Sequence, residues 1–362
     1  MLYNNMKLGI LTYHRSHNYG ALLQGIALRE VLERMGHQVT FIDYWPAYHR
    51  HMYALFSFPW MMSRKGVKGK LSYLKSCACN WAYRKQRKDN FEKFIDKYIE
   101  PYTSSVDETY DVIIHGSDQI WRKQPELGTY NPVYFGKHQI KATRKISYAA
   151  SMGILAKSEA EKSLLKNYIQ CLDAVSVRES GLKDLIKDLG RNDVRQDLDP
   201  TLLLPADFWI DKFKLKVRTE EHYALYYKIQ DAFDIKELKT FARSKGLKLK
   251  IIHSKAIGKD TEDNVTTASP KEFLELMYGA DMVFISSFHG LAFSLIFHKP
   301  FLASFVKNAG RAVSILQSLG MEDRLVKPKT KLENIDMNLD CSQIDNALLS
   351  LRNDSIEFLK ID

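Results

Sequence analysis

Hydrophobic and polar positions at the start of the chain follow the pattern of a strand, a helix and a second strand. Residues 7–13 and 39–44 are short apolar runs, and in residues 19–35 the apolar positions recur three and four residues apart. Gly36 then provides a stop for the helix. This unit predicts two parallel strands joined by a right-handed crossover.

The same alternation recurs through most of the chain. Further strands are predicted at residues 111–115, 146–150, 174–177, 223–228, 248–253 and 282–286. Helices are predicted at residues 157–171, 179–189, 232–245, 270–278 and 291–297. Pro205 separates two such series, which predicts an α/β protein with an N-terminal domain at 1–205, a C-terminal domain at 206–330 and a helical segment at 331–362.

Residues 46–100 depart from this alternation. Between Trp45 and Asp89 the chain carries ten Lys and Arg residues and no Asp or Glu, mixed with Trp, Phe and Met. The rest of the chain is balanced, so the whole net charge of +10 lies in this stretch. Since residues 71–99 have helical spacing, we predict a basic, largely helical insertion in the N-terminal domain.

Composition narrows the class of protein. With 362 residues, 45% hydrophobic and 27% charged, the chain is long enough and apolar enough to form folded domains, which excludes a disordered protein. The four cysteines lack a metal-binding spacing, and the first residues lack the pattern of a secretion signal. We therefore expect a protein of the reducing cytoplasm.

The turn at residues 286–290 is a candidate anion site. It follows a predicted strand and precedes a predicted helix, where free backbone N–H groups and the helix dipole attract anions. His289 lies in this turn and is suited to proton transfer near neutral pH. The alternative is that the turn only caps the helix.

Six short phrases carry a resemblance to a known family. They are Asn18-Tyr19-Gly20-Ala21, Gly116-Ser117-Asp118-Gln119-Ile120-Trp121, Ser147-Tyr148-Ala149-Ala150-Ser151, Ser176-Val177-Arg178-Glu179, Asp199-Pro200-Thr201 and Ser287-Phe288-His289-Gly290. Together they resemble the polysaccharide pyruvyl transferase family. The resemblance implies two Rossmann-like domains facing a cleft, as in the GT-B fold, and transfer of a pyruvyl group from phosphoenolpyruvate to sugar hydroxyls of a cell-envelope polysaccharide precursor.

The resemblance implies a donor site and catalytic residues. The donor-binding candidates are Arg178, Ser286, Ser287, His289, Gly290 and Arg311. The carboxylate of phosphoenolpyruvate is expected near Arg178 and its phosphate near the turn at 286–290. The catalytic candidates are His289, Arg178 and Asp118. The family often has an arginine where this chain has Ser287, so Arg311 or Arg324 is expected to replace that cation. A purely structural alternative pairs Arg178 with Glu179 or Asp184.

The acceptor-binding candidates lie in two loops. They are His14, Arg15, Asn18, Gly20, Ser117, Asp118, Gln119 and Trp121. Asp118 is expected to bind a sugar hydroxyl or act as a base, and Trp121 is expected to stack on a pyranose ring. The structural alternatives are that Asn18 caps the following helix and that Trp121 belongs to the core.

Ketal formation requires an acid, a base and cations, but no metal. The chain contains neither a His-Glu-x-x-His motif nor a phosphate-binding Gly-x-x-x-x-Gly-Lys motif. We therefore expect no metal and no cofactor besides phosphoenolpyruvate as co-substrate. The alternatives are a GT-B glycosyltransferase that uses a nucleotide sugar, and a catalytically reduced, membrane-attached glycan-binding protein, which the presence of Ser287 suggests.

The basic insertion has three interpretations. Nucleic-acid binding is not expected, since no known nucleic-acid-binding motif accompanies the cations. Residues 52–62 are apolar but too short to span a bilayer, so residues 46–88 are expected to make peripheral contact with an anionic membrane at its inner face. The alternative is a lid whose aromatic side chains pack inward.

Overall fold

The computed structural model describes residues 5–216, 221–333 and 335–361 and contains two parallel β-sheets. The first sheet has seven strands in the order β3-β2-β1-β4-β5-β6-β7. They are β1 (Lys7–Leu11), β2 (Gln38–Ile42), β3 (Thr103–Ser104), β4 (Thr109–Gly116), β5 (Lys141–Ala150), β6 (Ala174–Val177) and β7 (Arg195–Gln196). Every pairing is parallel, and in register Leu8 faces Val39 on one side and Val112 on the other.

The second sheet has five strands in the order β10-β9-β8-β11-β12, again all parallel. They are β8 (Tyr223–Lys228), β9 (Lys248–His253), β10 (Asn264–Val265), β11 (Met282–Ile285) and β12 (Phe301–Ala303). The predicted boundary at residue 205 falls between the last strand of the first sheet and the first strand of the second. The prediction of two Rossmann-like units is therefore confirmed.

Helices connect these parallel strands. Those of the first half are α1 (Tyr19–Arg34), α2 (Ala47–Tyr53), α3 (Phe58–Met62), α4 (Gly66–Cys79), α5 (Trp81–Tyr98), α6 (Glu159–Ile169), α7 (Ser180–Asp188) and α8 (Ala206–Phe213). Those of the second half are α9 (Ile235–Ser244), α10 (Pro270–Gly279), α11 (Phe288–Ile296), α12 (Gly310–Leu319) and α13 (Cys341–Leu359). Local caps fix several starts: Asn18 accepts a hydrogen bond from the Ala21 N–H at 3.2 Å, and Ser269 forms a capping box with Glu272.

One continuous apolar cluster joins the two halves. It contains Leu22 and Ile26 of α1 together with Leu291 and Phe293 of α11. Tyr19 contributes a ring stacked on Phe273 with centroids 4.6 Å apart, and its hydroxyl donates to the Ala268 carbonyl at 2.9 Å. The carboxyl ends of the two sheets are therefore held at a fixed, shared interface.

The C-terminal helix α13 packs back onto the first half. The Leu198 N–H donates to Ser355 Oγ at 2.9 Å, and Arg352 Nε donates to the Leu202 carbonyl at 2.6 Å. Within the C-terminal segment, residues 341–359 form this helix. The first half therefore contains structure from both ends of the chain.

The insertion contains four separate helices, α2 to α5, so the prediction of a largely helical insertion is confirmed. Asn80 ends α4, because its side chain donates to the Ser76 carbonyl at 3.0 Å and accepts from the Gly258 N–H at 2.9 Å. Helix α5 then crosses to the second half, where the buried Arg87 donates to the Thr266 carbonyl at 2.8 Å. In the described ranges no helix is long and apolar enough to cross a bilayer.

Candidate functional site

A cavity of about 300 Å³ lies where the carboxyl ends of the two sheets face each other. Loops that follow β1, β4, β8, β11 and β12 line it, together with α2 from the insertion. The lining side chains include Tyr13, Asn18, His49, Tyr53, Asp118, Gln119, Arg122, Gln230, Ser286, Ser287, Phe288, His289, Asn308 and Arg311. Most of the predicted donor residues therefore come together in one cleft.

Helix α11 begins three residues earlier than predicted, at Phe288. Ser287 has extended backbone angles of −144° and 139° and makes no side-chain cap, so it directly precedes the first turn. His289 and Gly290 thus lie in that turn, where backbone N–H groups have no partner within the helix. Gly290 packs tightly against β11 and β8, since a β-carbon there would lie 2.8 Å from Ile285 and 2.9 Å from Tyr227.

The hydroxyl of Ser286 positions a neighbouring loop. It accepts hydrogen bonds from the N–H groups of Ile229 at 2.9 Å and Gln230 at 3.0 Å. Gln230 in turn holds the loop after β12, since its Oε1 accepts from the Lys307 N–H at 2.9 Å. Ser286 therefore lines the cavity while organising the loops around it.

Arg178 forms a buried ion pair with Asp199, not with Glu179 or Asp184. Asp199 also accepts hydrogen bonds from Thr201 Oγ1 at 2.7 Å and Ser117 Oγ at 3.2 Å. Burial by itself would raise the pKa of Asp199, but the charges of Arg178 and His289 hold that pKa well below its usual range. Asp199 is therefore a permanent carboxylate behind the cleft.

Phe288 supports two cations. The guanidinium of Arg178 lies 4.6 Å from its ring centroid and that of Arg311 lies 5.5 Å from it. Burial, followed by repulsion from Arg178, lowers the pKa of Arg311 to about 10, so it remains charged at neutral pH. Arg311 therefore supplies a cation beside the position where the family often has one and this chain has Ser287.

Several buried polar atoms around Phe288 lack a hydrogen-bond partner within the part of the chain that the structure describes. They are the donor nitrogens Nε and Nη2 of Arg178, Nε of Arg311 and Nε2 of His289, and the acceptor oxygen Oε2 of Glu179. Leaving a buried donor unpaired costs on the order of 1–3 kcal/mol. A cluster of such donors is typical of a site that an anionic ligand completes.

Two cavities meet at this cluster. A smaller cavity of about 210 Å³ is lined by Arg178 and Asp199, and both cavities are lined by Phe288 and Arg311. Arg178 therefore lies at the back of the site. It is linked to the main cavity through Asp118, whose Oδ1 is 3.9 Å from Arg178 Nη2.

Asp118 lies between the two guanidinium groups. Its Oδ1 is also 3.9 Å from Arg311 Nη1, and the residue has a left-handed φ of 57°. Asp118 and Gln119 both line the main cavity, whereas Ser117 is buried against Asp199. A carboxylate at this position can accept a hydrogen bond from a hydroxyl that enters the cavity.

The predicted stacking of Trp121 on a sugar is wrong. Trp121 is fully buried, its Nε1 donates to the Tyr134 carbonyl at 2.8 Å, and its ring stacks on Phe135 with centroids 4.8 Å apart. Its ring is buried in the apolar core of the first half. Trp121 therefore supports the loop that carries Asp118 and does not contact the cleft.

His14 and Arg15 do not reach the cavity. The chain turns after β1, where the Ser16 N–H donates to the Tyr13 carbonyl at 3.2 Å, and this turn directs the two side chains elsewhere. His14 Nδ1 contacts the Thr12 carbonyl at 3.1 Å, and Arg15 is paired with Asp43 at 2.8 Å. Their predicted contact with the acceptor is therefore wrong, whereas Asn18 both caps α1 and lines the cavity.

Arg324 is not the replacement for the family cation. Its Nη1 donates to the Asp336 carbonyl at 2.9 Å, its Nη2 donates to the Asn338 carbonyl, and its Nε lies 3.2 Å from Asp323. These contacts hold its guanidinium group against the loop that precedes α13. Of the two arginines considered from the sequence, the structure places Arg311 in the cleft.

The sequence did not reveal the parts played by Asp199 and by α2. The phrase Asp199-Pro200-Thr201 was a signal for Asp199, but its pairing with Arg178 depends on the three-dimensional fold. His49 and Tyr53 belong to the insertion and line the cavity. Burial, followed by the charge of Arg122, lowers the pKa of His49 to about 4, so it is neutral at pH 7. Within the described residues no group of three or more His, Cys, Asp or Glu side chains could hold a metal ion.

Comparison with solved structures gives distant likenesses. The chain is 11% identical to the glycosyltransferase SnogD from Streptomyces nogalater, with a TM-score of 0.43, covering 97% of this chain and 95% of that one. It is 13% identical to the UDP-GlcNAc 2-epimerase from Methanocaldococcus jannaschii, with a TM-score of 0.42 and coverage of 96% and 93%. No curated protein sequence matches the chain.

The comparison with protein families gives a match over most of the chain. The profile described as polysaccharide pyruvyl transferase aligns with residues 18–304. This span includes α1, the Asp118 loop, the Arg178–Asp199 pair and the first turn of α11. The chain belongs to the polysaccharide pyruvyl transferase family.

Proposed function

We propose that the protein transfers the pyruvyl group of phosphoenolpyruvate to two hydroxyls of a sugar in a cell-surface polysaccharide precursor, which forms a pyruvate ketal. The observation that carries this proposal is the set of unpaired buried donors on Arg178, Arg311 and His289 around Phe288. A small ligand with a carboxylate and a phosphate group would pair with these donors. Membership of the pyruvyl transferase family agrees with that chemistry.

The proposed reaction is balanced without a redox partner. One sugar hydroxyl adds to C2 of phosphoenolpyruvate while a proton adds to the methylene carbon, which becomes a methyl group. A second hydroxyl then displaces the phosphate at C2. The products are the ketal and inorganic phosphate. Of the two protons lost from the hydroxyls, one is added to the methylene carbon and the other leaves with the phosphate.

His289 and Asp118 are the proposed acid and base. His289 Nε2 lies 3.6 Å from Asp199 Oδ2, beyond hydrogen-bond distance, and this nitrogen is proposed to donate its proton to the ligand. Asp118 lines the cavity and is proposed to take a proton from an incoming hydroxyl. Arg178 and Arg311 are proposed to hold the carboxylate and phosphate, with the first turn of α11 as a further anion contact.

Phosphate release and donor binding test this function. Purified protein should release phosphate from phosphoenolpyruvate only when a suitable sugar is added, and calorimetry should show weaker phosphoenolpyruvate binding for R178A and R311A. R324A is the matched control, because that arginine binds carbonyl groups away from the cleft. Turnover of a nucleotide sugar instead would favour the glycosyltransferase, and binding of glycans without any turnover would favour a glycan-binding protein.

A further inference from the structure

The outward face of α4 is apolar. Val67, Leu71 and Leu74 are 74%, 59% and 41% exposed, and their spacing of four and three residues places them on one side of the helix. The neighbouring helix α3 adds Phe58 and Met62, which are 60% and 48% exposed. These five side chains are called the α3–α4 surface.

This pattern is the reverse of that of an ordinary surface helix. A helix on a folded protein turns its apolar face inward, whereas the inward side of α4 carries the buried Cys77 and the half-buried Tyr73. Tyr73 ties α4 to α3, since its hydroxyl accepts from the Ser57 N–H at 3.0 Å. Both helices are therefore held in place with their apolar side chains directed to solvent.

Cations flank the apolar stripe on both sides. At about 100° per residue, Lys68 and Lys75 lie on one flank of the α4 stripe and Lys70 lies on the other. None of these three lysines forms an ion pair with a described residue. Residues 46–88 contain no Asp or Glu, so no acidic side chain of the same segment neutralises these lysines.

We propose that the α3–α4 surface binds the face of an anionic lipid bilayer, with the five apolar side chains inserted at the headgroup level and the lysines paired with lipid phosphates. Charge decides between this occupant and a second copy of the chain. Two copies meeting through this surface would bring their unneutralised cations together, whereas an anionic bilayer neutralises them.

The surface adjoins the route into the cleft. Trp60 of α3 lines a groove of about 620 Å³, which shares Gln119 and Arg122 with the main cavity. Phe58 and Met62, on the same short helix, belong to the α3–α4 surface. If the proposed transferase function holds, this arrangement places the mouth of the groove at the membrane, where an acceptor carried on a lipid would enter.

Sedimentation with vesicles tests the binding without requiring activity. Wild-type protein should sediment with vesicles of phosphatidylcholine and phosphatidylglycerol at low salt, and much less with pure phosphatidylcholine. The variants V67S/L71S/L74S and K68Q/K70Q/K75Q should each reduce the bound fraction at least tenfold. The control L349S changes a residue of α13 that is 56% exposed and should bind like wild type.

Three results would overturn the inference. They are failure of the wild type to bind anionic vesicles at low salt, equal binding of the wild type and the α4 variants, and a wild-type dimer in ultracentrifugation that the V67S/L71S/L74S variant abolishes. Circular dichroism and phosphate release with a short water-soluble acceptor should be unchanged in the α4 variants. If neither the wild type nor any variant transfers a pyruvyl group, the proposed function is contradicted, but the lipid-binding result is not affected.

Discussion

Gly20 lies directly against the imidazole of His289. A β-carbon built on Gly20 would lie 1.9 Å from His289 Nδ1, closer than any real contact allows. Gly20 belongs to the first turn of α1 and His289 to the first turn of α11, so the helix starts of the two halves meet at the site. The sequence predicts Gly20 as an acceptor contact, whereas the structure shows that it makes room for the imidazole.

Replacing Gly20 with alanine should therefore displace the His289 ring. We expect G20A to lower turnover at least about tenfold, since each 1.4 kcal/mol of lost transition-state stabilisation is a factor of ten. Alanine is favoured over glycine in a helix by about 1 kcal/mol, which partly offsets the overpacking. The measurement is kcat for phosphate release together with the melting temperature.

The matched control for this variant is G69A in α4. A β-carbon there would lie 3.5 Å from Arg64, which is ordinary contact, so activity should not change. A G20A protein with the turnover of the wild type would show that the position of the His289 ring does not matter for the reaction.

His289 should be needed for turnover and much less for stability. We expect H289N to lower kcat by about 10²–10⁴-fold, the usual contribution of a positioned acid or base. H298N is the control, because His298 pairs with Asp345 at 2.8 Å outside the cleft. The measurement is the rate at saturating donor and acceptor. A rate equal to that of the wild type would remove His289 from the chemistry.

Replacing Ser287 with arginine tests whether Arg311 already supplies the family cation. Arg311 and Arg178 both lie against Phe288, next to position 287, so a third guanidinium should repel them and crowd the cavity. We expect S287R to weaken phosphoenolpyruvate binding and to slow the reaction. Calorimetry and steady-state rates measure this. Tighter donor binding by S287R would show that Arg311 does not act as the clamp.

Buried histidines should make the protein less stable in acid. Burial lowers the pKa of His115 to about 3, and burial together with Arg122 lowers that of His49 to about 4. In the unfolded chain the pKa of histidine is about 6.5, so below that pH the unfolded state binds protons that the native state does not. Stability is full above about pH 6.5 and falls toward pH 4 by up to about 1.4 kcal/mol per pH unit for each group.

Urea unfolding at pH 7.5, 6.0 and 5.0 measures this dependence. H115Q should reduce the slope of the unfolding free energy against pH, whatever its effect on absolute stability. H51Q changes an exposed histidine and is the control. An unfolding free energy that does not change between pH 7.5 and 5.0 would contradict the prediction.

Most of the sheet could be predicted from the sequence, because short apolar runs between turn residues define buried parallel strands. The strands β6, β8 and β9 have the predicted bounds. The start of α11 was missed, since Phe288, His289 and Gly290 do not extend an amphipathic pattern in a helix whose nine residues are all buried. Periodicity carries no information about a helix without an exposed face.

The site was harder to predict than the fold. The loops that line the cleft could be predicted, because parallel strands bring those loops to one edge, but the side chains of His14 and Arg15 in the first loop point away from the cavity. The pairing of Arg178 with Asp199 could not be predicted, since it depends on how β6 and β7 lie side by side. Trp121 was misassigned because an aromatic residue beside a site has the same sequence pattern whether it faces the ligand or the core.

The apolar cluster shared by α1, α10 and α11 has a consequence for unfolding. Neither half can lose its structure without exposing the stacked rings of Tyr19 and Phe273 to water, so the two sheets are thermodynamically coupled. Calorimetry should therefore show a single cooperative transition, although the chain is large enough for two. Pieces corresponding to residues 1–205 and 206–362, produced separately, should be insoluble alone and recover structure only when mixed.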